Sequence, residues 1–165
     1  MIQQKKRVVL YFPHLANPRF RYTASKDLLP LSVLAIAGIP EREGYEVVII
    51  DGNLYPAQEA HRLLVEACEG ALCYGTTSIL GYQITDGLHA TQRVKAMHPD
   101  LPTITGGWFP SVAPEQLLAS RAYDSGCLRQ VEITFAEFVR PCAAVPSPDD
   151  LPGLAHPPRR PPPCP

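Results

Sequence analysis

Arg7-Val8-Val9-Leu10-Tyr11-Phe12 places five consecutive apolar or aromatic side chains behind one arginine. A strand with one wet face alternates apolar and polar residues, whereas a strand covered on both faces reads as an unbroken apolar run, the signature of a parallel sheet between helices. The rest of the chain repeats this theme. A long loop (Pro13 to Leu29) leads into a helical pattern from Pro30 to about Glu43, with Gly44 placed to close it and Pro40 inside it. A proline within a helix costs about 3 kcal/mol, since its ring opposes the carbonyl four residues back. Glu46-Val47-Val48-Ile49-Ile50-Asp51 is a second strand. Ala57 to Glu69 reads as a helix with Ala60, Leu63, Leu64 and Ala67 on one face.

A third strand is expected over Ala71 to Gly75, a helix from Tyr82 to His98 stopped by Pro99, and a fourth strand over Pro102 to Thr105. A short helix begins near Pro114 with Glu115 in its first turn, residues 122–128 form a fifth strand, and Thr134 to Val139 opens a last helix. Strand and helix alternate about five times with short connections. Right-handed crossovers then give an α/β fold, a doubly wound parallel five-stranded sheet of flavodoxin-like (Rossmann-like) order 2-1-3-4-5.

Composition bounds the function. A chain of 165 residues has a single-domain length, with residues 1–140 as the α/β domain. In residues 141–165, ten of the 25 residues are proline, which reads as a linker or disordered tail; a PxxP ligand is the alternative reading of it. A net charge of −1 gives no electrostatic reason for a nucleic-acid or anionic-membrane partner, and no apolar run is long enough to span a bilayer. The basic N-terminus lacks a secretory apolar core and cleavage site, so a cytoplasmic location is expected. Cys68, Cys73, Cys127, Cys142 and Cys164 show no CxxC or CxxxCxxC spacing, so they read as reduced thiols without an iron–sulfur or zinc site.

In such a sheet, ligands bind beyond the carboxyl ends of the strands. After strand three come Thr76-Thr77-Ser78-Ile79-Leu80-Gly81, whose hydroxyls precede a helix N-terminus that favours anions. After strand four come Gly106-Gly107-Trp108-Phe109-Pro110, where a double glycine lets backbone approach a bulky ligand. These loops suit a ligand with a phosphate and a flat ring, and a plain nucleotide fits equally well. His14 is the one imidazole near this edge and reads as a loop histidine without a metal bond. Ser78, His89 and Asp86 do not form a hydrolytic triad, because no GxSxG surrounds Ser78 and His89 falls on a helix surface. Asp51 ends strand two without the glycine fingerprint of a ribose acceptor.

Ser78-Ile79-Leu80, then 25 residues, then Gly106-Gly107 resembles the SxL…GG signature of cobalamin (vitamin B12)-binding domains. Leu29-Pro30-Leu31-Ser32-Val33-Leu34-Ala35 looks like that family's PPLGLxxLA, Glu43 to Asp51 like its (A/E)GHEVxxID, Gly106 to Ser111 like GGxHP(S/T), and Glu132-Ile133-Thr134-Phe135 like GE-x-TF. The resemblance covers about residues 7–140. It implies that the serine loop meets the base end of the corrinoid's nucleotide tail and that the glycines line its channel. The cofactor-binding residues implied are Thr76, Thr77, Ser78, Leu80, Gly81, Gly106, Gly107 and Trp108. The DxHxxG cobalt-ligating motif is absent, so the resemblance is to the N-terminal domain of cobalamin-dependent radical SAM enzymes, methyltransferase-type. The CxxxCxxC of their barrel is missing, and Asp149 to Leu154 looks like the connector before it. The chain thus reads as truncated ahead of the barrel, with no iron–sulfur cluster or S-adenosylmethionine site and no catalysis of its own. Its expected partners are a corrinoid and a separate radical SAM or methyltransferase polypeptide. The family's RG(E/Q)GE is replaced here by Leu128-Arg129-Gln130-Val131-Glu132, with Arg129 and Val131 in place of glycines. A flavin- or nucleotide-binding flavodoxin-like domain and a non-binding gene fragment are the alternatives.

Overall fold

The computed structural model describes residues 6–17, 28–142 and 153–156. Its core is one sheet of order β2-β1-β3-β4-β5-β6. Strand β1 spans Arg7–Phe12 and pairs in parallel with β2 (Glu46–Asp51) and with β3 (Cys73–Thr77). Strand β4 (Thr103–Gly106) pairs with β3, and β5 (Ser125–Cys127) with β4, both in parallel. The apolar run that decides the fold works by alternation once it is in the sheet. Val8, Leu10 and Phe12 join the core under α1 (Leu31–Arg42) and α6 (Glu132–Cys142), while Val9 and Tyr11 pack under α2 (Ala57–Ala67) and α3 (Tyr82–Met97). All five residues are buried, as strands covered on both faces must be.

Three expectations change. Strand β3 runs two residues further than Gly75, to Thr77, because Thr76 and Thr77 pair with β1 and β4 rather than starting a loop. Both are β-branched and suit a strand, and the Thr76 hydroxyl donates to the Tyr11 carbonyl at 3.2 Å. The sheet has six strands, not five. Leu154–Ala155 form β6, antiparallel to β5, with Gly126 opposite Ala155 and Cys127 opposite Leu154. These residues lie in the segment read as linker or tail; pairing them covers the otherwise open edge of β5. Apart from Gly153 and His156, the rest of that segment after Cys142, including the PxxP reading, lies outside the described residues. Lastly, a one-turn α4 (Trp108–Val112) precedes α5 (Pro114–Ala119) where only the second was expected.

Helix α1 accommodates the buried Pro40 in its last turn and ends at Gly44, whose φ of +91° suits a glycine. An ion pair between Glu43 and Arg140 ties α1 to α6 at the surface. No described helix is long and apolar enough to cross a membrane.

Candidate functional site

The carboxyl ends of β3 and β4 meet the first turns of α1, α4 and α6 around a two-part cleft. The inner part, about 220 Å³, has α1 on one side (Ser32, Val33, Ala35, Ile36), Thr76, Thr77, Gly106 and Gly107 below, and the turn Arg129-Gln130-Val131-Glu132 on the other. The outer part, about 670 Å³, shares Ser32, Thr77, Gly107, Arg129 and Gln130 and adds Ile79, Trp108 and Ser111. Pockets for drug-sized ligands run to roughly 300–1,000 Å³, so the inner part is narrow and the outer ample.

Of the residues implied from sequence, Thr76, Thr77, Gly106, Gly107 and Trp108 line this cleft. Ser78 does not. Its side chain is fully buried and its Oγ lies 3.0 Å from Thr105 Oγ1, while its N–H donates to the Gly106 carbonyl and its carbonyl accepts from the Phe109 N–H. As placed, Ser78 joins the loop after β3 to the loop after β4 and supports the cleft floor. Leu80, 63 % exposed, and Gly81 sit in the loop before α3, outside both parts of the lining.

The two glycines are bare for protein neighbours. A Cβ on Gly107, whose φ is +106°, would stand 2.8 Å from the Ser78 carbonyl oxygen and 3.1 Å from Thr77 Oγ1. A Cβ on Gly106 would stand 3.1 and 3.2 Å from the two methyl groups of Val131. Thr77 is the polar opening of the site: its residue is 4 % exposed and its Oγ1 has no hydrogen-bond partner among the described residues. A buried hydroxyl without a partner costs about 1–3 kcal/mol, and a ligand acceptor or donor in the cleft recovers it. The α6 N-terminus and Arg129, which is exposed, bring positive potential to the same wall, partly offset by Glu132. Exposed Leu31, Leu80, Trp108, Val112 and Ile133 add apolar surface at this end of the sheet.

The α1 wall and residues 129–132 are what sequence reasoning missed as lining. The turn was legible only as a departure from the glycine pattern, and its position against Gly106 follows from tertiary packing.

His14 is tied up elsewhere. Asp86, 1 % exposed, accepts from the Tyr11 hydroxyl at 2.7 Å, the His14 N–H at 2.9 Å and His61 Nε2 at 3.0 Å. His14 Nδ1 also lies 3.1 Å from Asp86 Oδ2, and its Nε2 lies 3.0 Å from the Tyr55 carbonyl oxygen. Both ring nitrogens face acceptors, an arrangement that favours the doubly protonated imidazolium, which has no lone pair for a metal. Burial opposes that charge, but the Asp86 hydrogen bond and charge, with the Tyr55 carbonyl, raise the His14 pKa above its ordinary value. Burial likewise opposes the Asp86 charge, yet hydrogen bonds from His14, His61 and Tyr11 hold the carboxyl far below its usual range. Burial and Asp86 together push the Tyr11 phenol far up. His89 is exposed on α3, as expected, and Asp51 caps the turn after β2 by accepting from Asn53.

The family model for the B12 binding domain matches residues 21–139, well over half of the chain. The chain belongs to the B12-binding domain family. No curated protein sequence matches it. Among solved structures, the radical S-adenosylmethionine methyltransferase TsrM from Kitasatospora setae, with cobalamin and a [4Fe-4S] cluster bound, superposes with a TM-score of 0.74 at 16 % identity. The match covers 92 % of this B12-binding chain and 27 % of TsrM. The cobalamin-dependent S-adenosylmethionine radical enzyme OxsB, with aqua-cobalamin bound, gives 0.73 at 16 % identity, over 93 % of this chain and 21 % of OxsB. At these identities the likeness shows a shared fold. The chain spans about a quarter or less of the length of these enzymes.

Proposed function

We propose that this B12-binding domain holds a corrinoid at the carboxyl edge of its sheet, with the nucleotide arm directed into the inner cleft and the macrocycle over the apolar surface beside it. The observation that carries the reading is the Thr77 hydroxyl, buried at the end of β3, without a hydrogen-bond partner among the described residues, and lining both parts of the cleft. The residues fit the group. Thr77 offers a hydroxyl, Arg129 and the first turn of α6 suit a phosphodiester, and Leu80, Trp108 and Ile133 offer apolar area to a broad ring. His14, saturated by Asp86 and Tyr55, supplies no lower ligand.

A bound corrinoid would supply cobalt able to carry a methyl group or electrons, while the protein supplies binding and orientation. The reaction is performed by a radical SAM or methyltransferase polypeptide acting with this domain, in the cytoplasm. Four cysteines, all free among the described residues, suit that compartment. The test is purification with hydroxocobalamin followed by desalting. Retention of the corrinoid, with a visible spectrum distinct from that of the free compound, is expected; a colourless protein overturns the proposal.

A further inference from the structure

Gly106 ends β4 at the floor of the inner cleft, where a missing side chain would ordinarily open room for a ligand. That room is taken. Both methyl groups of Val131 stand 3.1–3.2 Å from the place a Gly106 Cβ would occupy, in the very cleft they line.

Val131 is also fixed in place. Its carbonyl accepts from the Phe135 N–H at 2.7 Å as the first bond of α6. Two residues earlier, Arg129 holds a φ of +66° and donates its N–H to Ser111 Oγ at 2.8 Å, and Ser111 Oγ in turn donates to the Gly107 carbonyl at 3.1 Å. The Leu128 N–H donates to the Gly153 carbonyl at 2.8 Å. A turn pinned at Leu128, Arg129 and Val131 does not swing aside as a flexible side chain tip would. A β-branched side chain has few rotamers through which to clear the cleft.

We propose that Val131 is the specificity-determining residue of the inner cleft: seated over Gly106, it shortens the channel and keeps out the bulky heteroaromatic base at the end of a corrinoid's nucleotide arm. The proposal rests on the corrinoid reading above. The wild-type domain therefore gains little from the base end of the arm, and its preference for aquocobalamin over cobinamide, which lacks the whole nucleotide arm, is held to about tenfold, the contribution of the Thr77 hydroxyl and the phosphodiester contacts alone.

The experiment titrates both corrinoids into wild type, Val131→Gly, Val131→Ala and Val131→Leu, read by visible absorbance and calorimetry. Val131→Gly is expected to tighten aquocobalamin at least tenfold with cobinamide unchanged, Val131→Ala to do so by a smaller factor, and Val131→Leu to leave both near wild type. Circular dichroism confirms folding of each variant; should the glycine variant unfold, the alanine variant carries the same comparison. An aquocobalamin-to-cobinamide ratio unchanged across the variants overturns the role of Val131 while leaving corrinoid binding intact. Failure of every form to bind either corrinoid overturns both readings.

Discussion

Replacing Asp86 by asparagine tests the buried network behind the sheet edge. The carboxylate is 1 % exposed and accepts four hydrogen bonds from Tyr11, His14 and His61. The isosteric amide keeps the volume but removes the charge and turns one acceptor into a donor facing other donors. Hydrogen bonds to a charged group are worth about 1.5–3 kcal/mol each and do not add. Removing one partner of a buried ion pair costs about 3–5 kcal/mol, because the other charge, here the His14 imidazolium, is left uncompensated. We therefore expect Asp86→Asn to destabilise by about 3–5 kcal/mol, a large share of the roughly 5–15 kcal/mol of a typical domain. At about 2–4 °C per kcal/mol for a chain of this size, Tm falls by about 6–20 °C.

The pH dependence is the sharper readout. The folded pKa of His14 lies above 6.5, so its contribution is complete below that pH and is lost as pH rises through the folded value. The folded pKa of Asp86 lies below 3.8, so its contribution is complete above that pH and is lost as pH falls through the folded value. Urea unfolding followed by circular dichroism from pH 3 to pH 9 should give a wild-type maximum between about pH 4 and 6.5, with both flanks flattened in Asp86→Asn. A destabilisation below about 1 kcal/mol, or an unchanged pH profile, refutes the network as described, since either is what a solvated carboxylate would give.

Thr77→Val should stabilise the ligand-free domain by up to about 1–2 kcal/mol by removing an unpartnered buried hydroxyl, and weaken corrinoid binding by about tenfold, one lost hydrogen bond; unfolding and titration measure the two effects, and a weaker fold with unchanged binding would count against the cleft. Gly107→Ala forces a Cβ to 2.8 Å from the Ser78 carbonyl at a φ of +106°, so a loss of at least about 1–3 kcal/mol is expected by the same unfolding assay. His14→Gln should leave the visible spectrum of a bound corrinoid unchanged at temperatures where the variant is folded, because both His14 nitrogens are already engaged; a shifted cobalt band would show that His14 reaches the metal.

The run Arg7–Phe12 by itself determined a strand buried on both faces, and with the alternation of helices it determined the order of the first five strands. Those signals are local: apolar period, a glycine after a helix, a proline at its end. Thr76 and Thr77 were legible as candidate site residues but not as strand, because the pairing that extends β3 comes from β1 and β4. Leu154–Ala155 were illegible, since two residues among prolines become a strand only where β5 presents an open edge. The site divides in the same way. Sequence spacing brought Thr77 and the glycine pair to one sheet edge. Only the fold turned Ser78 inward to Thr105, seated Val131 in the hollow of Gly106, and closed His14, His61 and Tyr11 around Asp86. Each of these is a contact between residues distant in the chain, and no local pattern encodes a distance across the core.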